Sequence, residues 1–318
     1  MTAGGRGSRL GRTSPAAQGA AGAAAGLASV ALLHPLDTVK VRMQVQGHRE
    51  PGVAARRSLP YYTSATHALR TIVATEGLAA LYVGLTPAVV GGALAWGTYF
   101  ASYEACKGLV RSRGGAAAAG SSARLSPAAH LGCAAAAGAV VCGVTNPVWV
   151  VKTRLQLQFT RDQGQAPACQ HGAYRGLVHG LRTLAAEEGL RGYFYGIVPN
   201  LALVSHGALQ FMAYEEMKGA LGGADRPLQP AEAGAAGMAS KLFAQMATYP
   251  SQVLRSRMQQ RRPPGAPPAT VFGTALSLWR AEGLRGFYRG LPASVYRVLP
   301  ASGVTFVVYE SVLAAISV

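Results

Sequence analysis

PLDTVKVRMQ at Pro35–Gln44 returns as PVWVVKTRLQ at Pro147–Gln156 and again as PSQVLRSRMQ at Pro250–Gln259. Each copy is followed by a second block: EGLAALYVG (Glu76–Gly84), EGLRGYFYG (Glu188–Gly196) and EGLRGFYRG (Glu282–Gly290). A third block closes each: YEACK (Tyr103–Lys107), YEEMK (Tyr214–Lys218) and YESVL (Tyr309–Leu313). The prolines lie 112 and 103 residues apart, so the chain of 318 residues reads as three modules with loop-length variation. Ordered blocks recurring at a near-constant period mark a repeat architecture. The division that follows is a tail at 1–15 and repeats at 16–115, 116–225 and 226–318.

Between the blocks the chain is apolar. Pro15–His34 is rich in Ala and Gly and carries no charge, and neither does Leu85–Tyr103. Each is close to the ~20 residues that a helix needs to cross a bilayer. Two such spans per repeat predict six helices, with both termini on one side and the long loops on the other. Half of the residues are apolar and 14% are charged, against roughly 25% charged in an ordinary soluble domain. The 40 glycines make much of the apolar surface small-residue surface, which suits helices approaching closely in lipid. The pairs Gly22/Gly26, Ala134/Gly138 and Ala233/Gly237 have the spacing for such approaches. Thr63–Thr75 and Val178–Glu187 are amphipathic and are predicted to be helices lying on the membrane surface.

The net charge of +17 invites a nucleic-acid reading, but its distribution argues for a membrane. Of the 30 Lys and Arg, 6 fall between Lys40 and Arg70, 6 between Lys152 and Arg191 and 7 between Arg255 and Arg289. Basic residues confined to alternate loops are the positive-inside pattern. A nucleic-acid face gathers its charge on one module, so no nucleic-acid partner is expected. Cys106, Cys133, Cys142 and Cys169 form no CxxC pair and no ligand cluster, and read as small apolar residues kept reduced. No metal or cofactor site is expected. Arg6, Arg9 and Arg12, with Ser and Thr and no acid nearby, fit either a transit segment or a tail.

Three copies of a Pro-x-x-x-x-basic-x-basic block, with Asp37, Trp149 and Gln252 at the position of the signature acid, each followed by Glu-Gly-x4-aromatic-x-Gly, resemble the signature of the mitochondrial carrier family. The resemblance covers about residues 16–315. Within that family TNPVWVVKTRLQLQ (Thr145–Gln158), VSHGALQFMAYEE (Val204–Glu216), ASKLFAQMATYPSQVLRSRMQ (Ala239–Gln259) and TFVVYE (Thr305–Glu310) look like the folate/FAD branch. LSPAAHL (Leu125–Leu131) and the aromatic set Trp96, Tyr99 and Phe100 resemble the plant folate carriers. Carriers of NAD and of pyrimidine nucleotides share part of this pattern. The chain departs from the branch at Ala136, where an acid is expected, and from the signature at Val83 and Tyr195, where bases are expected.

The resemblance implies an all-α membrane protein: six tilted helices in a threefold pseudo-symmetric barrel around a water-filled cavity that opens alternately to either side. Pro35, Pro147 and Pro250 are then the kinks of the odd-numbered helices, as the missing backbone donor of Pro also suggests. The family's matrix gate joins the residue two after each Pro to the basic residue of a neighbouring repeat. Carried over, the pairs are Asp37 with Lys152, Trp149 with Arg255, and Gln252 with Lys40. Only the first is an ion pair; Trp149 offers its ring face and Gln252 a hydrogen bond. The cytoplasmic gate would use Glu104, Lys107, Glu215, Lys218 and Glu310, with Leu313 where a third base belongs.

Lys241 and Arg297 are cations inside the spans, and intramembrane cations by default face a cavity or a partner. Lys241 is 14 residues before Arg255, which is about 40° apart on a helical wheel. Arg297 matches the family's third contact position on the sixth helix. With Lys40 and Arg255 these make the cavity positive and its solute anionic. His206 and Gln210 are candidates to read the polar edge of a ring, and Trp96 and Tyr99 to stack on one. The expected activity is transport of folate and/or FAD, with a nucleotide carrier for NAD or pyrimidine nucleotides as the alternative. The expected setting is the mitochondrial inner membrane, or else the chloroplast envelope, with the protein acting as a monomer and cardiolipin a candidate lipid partner. Two other classes are weighed. A leak or scaffold protein on the same fold sits poorly with the retained gate residues, and an enzyme sits poorly with scattered His and no phosphate loop.

Overall fold

The computed structural model describes residues 15–47, 60–113, 126–158, 173–222, 229–261, 269–297, 307–308 and 311–312. The chain runs through α1 (Pro15–Val45), α2 (Ala65–Glu76), a short 3-10 turn (Leu78–Tyr82), α3 (Leu85–Arg113), α4 (Pro127–Leu157), α5 (Leu177–Gly192), α6 (Ile197–Ala202), α7 (Ser205–Gly222), α8 (Pro230–Met258) and α9 (Val271–Phe287). A further helical stretch occupies 291–297. Among the described residues there is no strand.

Three helical segments are long and apolar enough to cross a membrane: Gly22–Val45, Leu78–Ser112 and Ala128–Leu157. Helix α8, at 29 residues, also has the length; at 1.5 Å per residue it covers about 43 Å. Its Gln, Ser and Thr residues and Lys241 hold its hydropathy below that of the other three. Helix α7 has 18 residues, and the segment expected to form the sixth span lies largely outside the described residues. The chain is an all-α protein with membrane-crossing helices. Helices α1, α4 and α8 run on through Pro35, Pro147 and Pro250.

The predicted surface helices are α2 and α5, and α9 is their counterpart in the third repeat. Ser64 caps α2 by accepting from the His67 N–H at 3.1 Å, and Thr270 caps α9 by accepting from the Gly273 N–H at 3.1 Å. Each of these helices lays its apolar stripe against the C-terminal half of the long helix before it. Ile72, Leu184 and Leu278, at matching places in the three repeats, are fully buried there. Ile72 packs with Val39, Met43 and Tyr62, Leu184 with Val150, Leu155 and Tyr174, and Leu278 with Tyr249 and Val253. Full burial of one such side chain is worth about 1.5–3 kcal/mol, so three small cores fix three surface helices.

Close approach through small residues is narrower than expected. A Cβ on Gly138 would meet the Val204 side chain at 2.8 Å, so α4 packs tightly on the α6–α7 junction. Around Gly22, Gly26 and Gly237 the described residues leave open space. The reason is where the long helices touch: α1, α4 and α8 meet near their C-terminal ends, and these glycines lie in the N-terminal halves.

Candidate functional site

The three signature stretches meet end to end. Asp37 on α1 is ion-paired with Lys152 on α4. The Arg255 guanidinium on α8 lies 5.6 Å from the centre of the Trp149 ring on α4, and the Lys40 Nζ on α1 donates to Gln252 Oε1 on α8 at 2.9 Å. The contacts pass from repeat 1 to repeat 2, from 2 to 3, and from 3 back to 1. The Trp149 indole is held by its own Nε1–H, which donates to Thr145 Oγ1 at 3.1 Å. It occupies room left by Gly91 on α3, whose Cβ, if present, would stand 3.5 Å from the ring.

Below this layer lies a second ring that the sequence reading did not single out. The Nε–H of Arg42 donates to the Gln156 carbonyl at 2.9 Å, that of Arg154 to the Gln259 carbonyl at 3.1 Å, and that of Arg257 to the Gln44 carbonyl at 2.9 Å. Each guanidinium is also paired with the Glu that opens the second block of its own repeat. Arg42 is paired with Glu76, Arg154 bonds Glu188 at 2.7 and 2.8 Å, and Arg257 bonds Glu282 at 2.8 Å. The Arg42 and Glu76 side chains are 0% and 2% exposed. Buried charges persist only with partners and hydrogen bonds of this quality. One guanidinium thus ties a long helix to its surface helix and to the next repeat at once. The signal was present in the sequence, since the second base and the opening Glu recur in all three repeats.

The residue before each Pro makes a third set of contacts. His34 Nε2 lies 3.1 Å from the Val83 carbonyl, Asn146 Nδ2–H donates to the Tyr195 carbonyl at 3.2 Å, and Tyr249 O–H donates to the Arg289 carbonyl at 3.0 Å. Each acceptor precedes the glycine that closes the second block. Those glycines have φ of +89° (Gly84), +73° (Gly196) and +83° (Gly290). Gly290 also passes 3.3 Å, measured from an ideal Cβ, from the Lys40 carbonyl. Only glycine combines that backbone with that approach.

A cavity of about 380 Å³ spans the first ring, lined by Asp37, Lys40, Val41, Gln44, Trp149, Lys152, Thr153, Gln156, Leu203, His206, Gln245, Gln252, Arg255, Ser256, Gln259 and Arg297. Its ionisable wall, His apart, is four cations and one carboxylate. Arg297 Nη1 is 3.9 Å from Asp37 Oδ1, and Arg297 Nε is buried without a partner among the described residues. His206 is oriented by Nδ1, 2.9 Å from Thr248 Oγ1. Gln245, unremarked in the sequence reading, spans the wall from Gln252 Oε1 at 3.1 Å to Ser294 Oγ at 3.0 Å.

Of the six residues expected to touch a solute, Arg297 and His206 line this cavity, while Lys241, Gln210, Trp96 and Tyr99 do not. Lys241 stands one turn before Gln245 on the same stripe of α8 and acts electrostatically on His206. Gln210 is half-buried one turn beyond His206 on α7. Trp96 is 66% exposed and stacks on Phe100 at 5.8 Å, while Tyr99 stacks on Tyr103 at 5.9 Å. Trp96 follows Gly91 by five residues, a rotation of about 140° that turns it away from α4.

At the other end of the long helices the charged residues pair locally. Glu104 bonds Lys107 at 2.7 Å within α3, and Glu215 meets Lys218 at 3.7 Å within α7. Glu310 and Leu313 lie outside the described residues. Among the described residues no three His, Cys, Asp or Glu side chains gather as a metal site.

The mitochondrial carrier protein family matches the chain at residues 11–114, 123–225 and 226–317. Folate transporter 1, chloroplastic, of Arabidopsis thaliana is 44% identical over 306 residues, covering 92% of this chain and 93% of the relative. Nicotinamide adenine dinucleotide transporter 2, mitochondrial, of the same plant is 34% identical, with 94% and 79% covered. The mitochondrial nicotinamide adenine dinucleotide transporter 1 of Saccharomyces cerevisiae is 34% identical, with 91% and 74% covered. Three matched segments in register with three copies of the signature leave one conclusion: the chain belongs to the mitochondrial carrier family.

Proposed function

We propose that the chain carries an anionic organic solute across an organelle membrane by alternating access, in a barrel of six tilted helices with threefold pseudo-symmetry. The observation that carries the reading is the cavity at the first ring, where four cations face one carboxylate. An anion with a planar ring suits that wall. Its negative end meets Arg297, Lys40 and Arg255, and the ring edge meets His206 and Gln245. Lys241, one turn higher on α8, supplies a further cation along the way in.

The contacts among Asp37, Lys152, Trp149, Arg255, Gln252 and Lys40 act as the matrix gate, closed in this conformation. Glu104, Lys107, Glu215 and Lys218 belong to the cytoplasmic gate, and their pairing within single helices agrees with a mouth open on that side. Folate and/or FAD is the proposed substrate, supported by the 44% identity to a folate transporter. A nucleotide substrate such as NAD is the second reading, favoured by the NAD transporters of plant and yeast among the relatives. The proposed setting is the mitochondrial inner membrane or the chloroplast envelope, with the monomer as working unit and cardiolipin as a lipid contact.

The test is uptake of labelled folate, FAD and NAD into liposomes holding the pure protein, each alone and in competition. Saturable folate or FAD uptake, blocked by the unlabelled compound, is the expected result. Uptake of NAD alone would move the assignment to the second reading. Uptake of none of the three, or a leak without saturation, would end the proposal.

A further inference from the structure

Helices α3 and α4 pack side by side where repeat 1 meets repeat 2, and their register is anchored at Gly91 against Val148. The two helices run antiparallel, so fifteen residues forward along α3 and fifteen back along α4 reach Cys106 and Cys133. Cys133 is 1% exposed, while Cys106 is half-buried. Tyr103 and His130, one turn earlier on each helix, bond across the same seam, with Tyr103 Oη 2.8 Å from His130 Nδ1. The Lys107 ammonium adjoins Cys106 in sequence and acts on Cys133.

We infer that Cys106 and Cys133 are an oxidation site, at which hydrogen peroxide joins α3 to α4 and so holds repeats 1 and 2 together at the mouth opposite the signature rings. Cys106 is the sulfur that an oxidant in the aqueous mouth reaches first. Its thiolate attacks one peroxide oxygen, the O–O bond breaks, and a sulfenic acid and water result. The Cys133 sulfur then attacks the Cys106 sulfur and displaces its oxygen as a second water. Two thiols and one peroxide become one disulfide and two waters. Cys106 sits between Glu104 and Lys107, so the bond forms beside the charges assigned to the cytoplasmic gate. A covalent tie at that place stops the mouth from closing. This consequence for transport rests on the proposed function; the bond itself does not.

The experiment uses the full chain in liposomes with Cys142→Ala and Cys169→Ala, treated with peroxide and then with dithiothreitol. Mass spectrometry of the non-reduced digest should find the Cys106 and Cys133 peptides joined, and solute uptake should fall at least tenfold and return on reduction. Cys106→Ser and Cys133→Ala should each transport normally when reduced and keep their rate in peroxide. A digest with both cysteines still reduced, or with Cys106 over-oxidised and unjoined, overturns the site. A complete cross-link with unchanged uptake overturns its control of transport.

Discussion

Asp37→Asn isolates the one ion pair in the first ring. The Asp37 carboxylate contacts Lys152, accepts from Gln156 Nε2 at 3.4 Å and has Arg297 at 3.9 Å. Asn keeps the shape but leaves both cations without a countercharge. Removing one partner of a fully buried pair costs about 3–5 kcal/mol. The Asp37 and Lys152 side chains are 15% and 13% exposed at a cavity floor, so screening brings the expected loss to about 2 kcal/mol. Gln252→Ala removes one hydrogen bond from Lys40, which keeps the Tyr249 ring at 6.0 Å; the cost is about 1 kcal/mol. At 1.36 kcal/mol per tenfold, the open fraction of the matrix gate should rise about thirtyfold in the first variant and about fivefold in the second. Labelling measures that fraction. With the native cysteines replaced, Val41→Cys in the cavity wall should react with an impermeant maleimide from the basic-loop side at a rate set by opening. Adding Lys152→Gln to Asp37→Asn removes the stranded charge and should return the rate part of the way to the parent. Equal labelling of Asp37→Asn and the parent, or a double variant worse than the single, would refute the gate reasoning.

Arg297→Ala and Lys241→Ala should each lower solute uptake about tenfold or more with normal amounts of inserted protein, and parental uptake should fall as ionic strength rises; parental rates in both variants would remove these cations from the binding path. Trp149→Ala should free Arg255 and loosen the ring by about 0.5–2 kcal/mol, whereas Trp149→Phe keeps a ring face and most of the effect. Matching labelling of Val41→Cys in the two would show that the ring face contributes nothing to closure. Gly290→Ala puts a Cβ 3.0 Å from the Tyr249 hydroxyl at a φ of +83°. It should cost about 1–2 kcal/mol and lower the midpoint of thermal unfolding in detergent, while Gly22→Ala, with open space around it, leaves the midpoint alone.

The repeat was legible because its evidence is redundant. A Pro, two bases and a closing glycine recur in order, and the same spacing placed Asp37, Trp149 and Gln252 against their partners across repeat boundaries. The first two surface helices were legible from their amphipathic period. What stayed hidden depended on which way a helix turns. In an Ala- and Gly-rich span the apolar stripe is too diffuse to mark a face, so the sequence alone did not show that Trp96 and Tyr99 stay off the wall of the cavity at the first ring. Gln245 passed unnoticed for the opposite reason. A neutral amide on α8 gives no sequence signal until Gln252 and Ser294 are seen on either side of it. The second ring was missed for want of one step: two motifs that recur together, here Arg42 and Glu76 and their counterparts, are the two halves of one contact.

The circle of contacts has a seam. Repeats 1 and 2, and repeats 2 and 3, are joined by peptide chain as well as by side chains, but between repeat 3 and repeat 1 no backbone passes. Closure there falls to Arg257 on the Gln44 carbonyl, Ser256 on the Gln44 side chain at 2.7 Å, and Lys40 on Gln252. Of the three positions before the closing glycine, Val83, Tyr195 and Arg289, only the last carries a base. That base crosses the seam, donating to the Gln46 carbonyl at 2.9 Å and resting 5.4 Å from the Tyr61 ring. The base before the closing glycine is thus kept at the one repeat boundary that no backbone crosses. Arg289 serves as a clasp between repeat 3 and repeat 1.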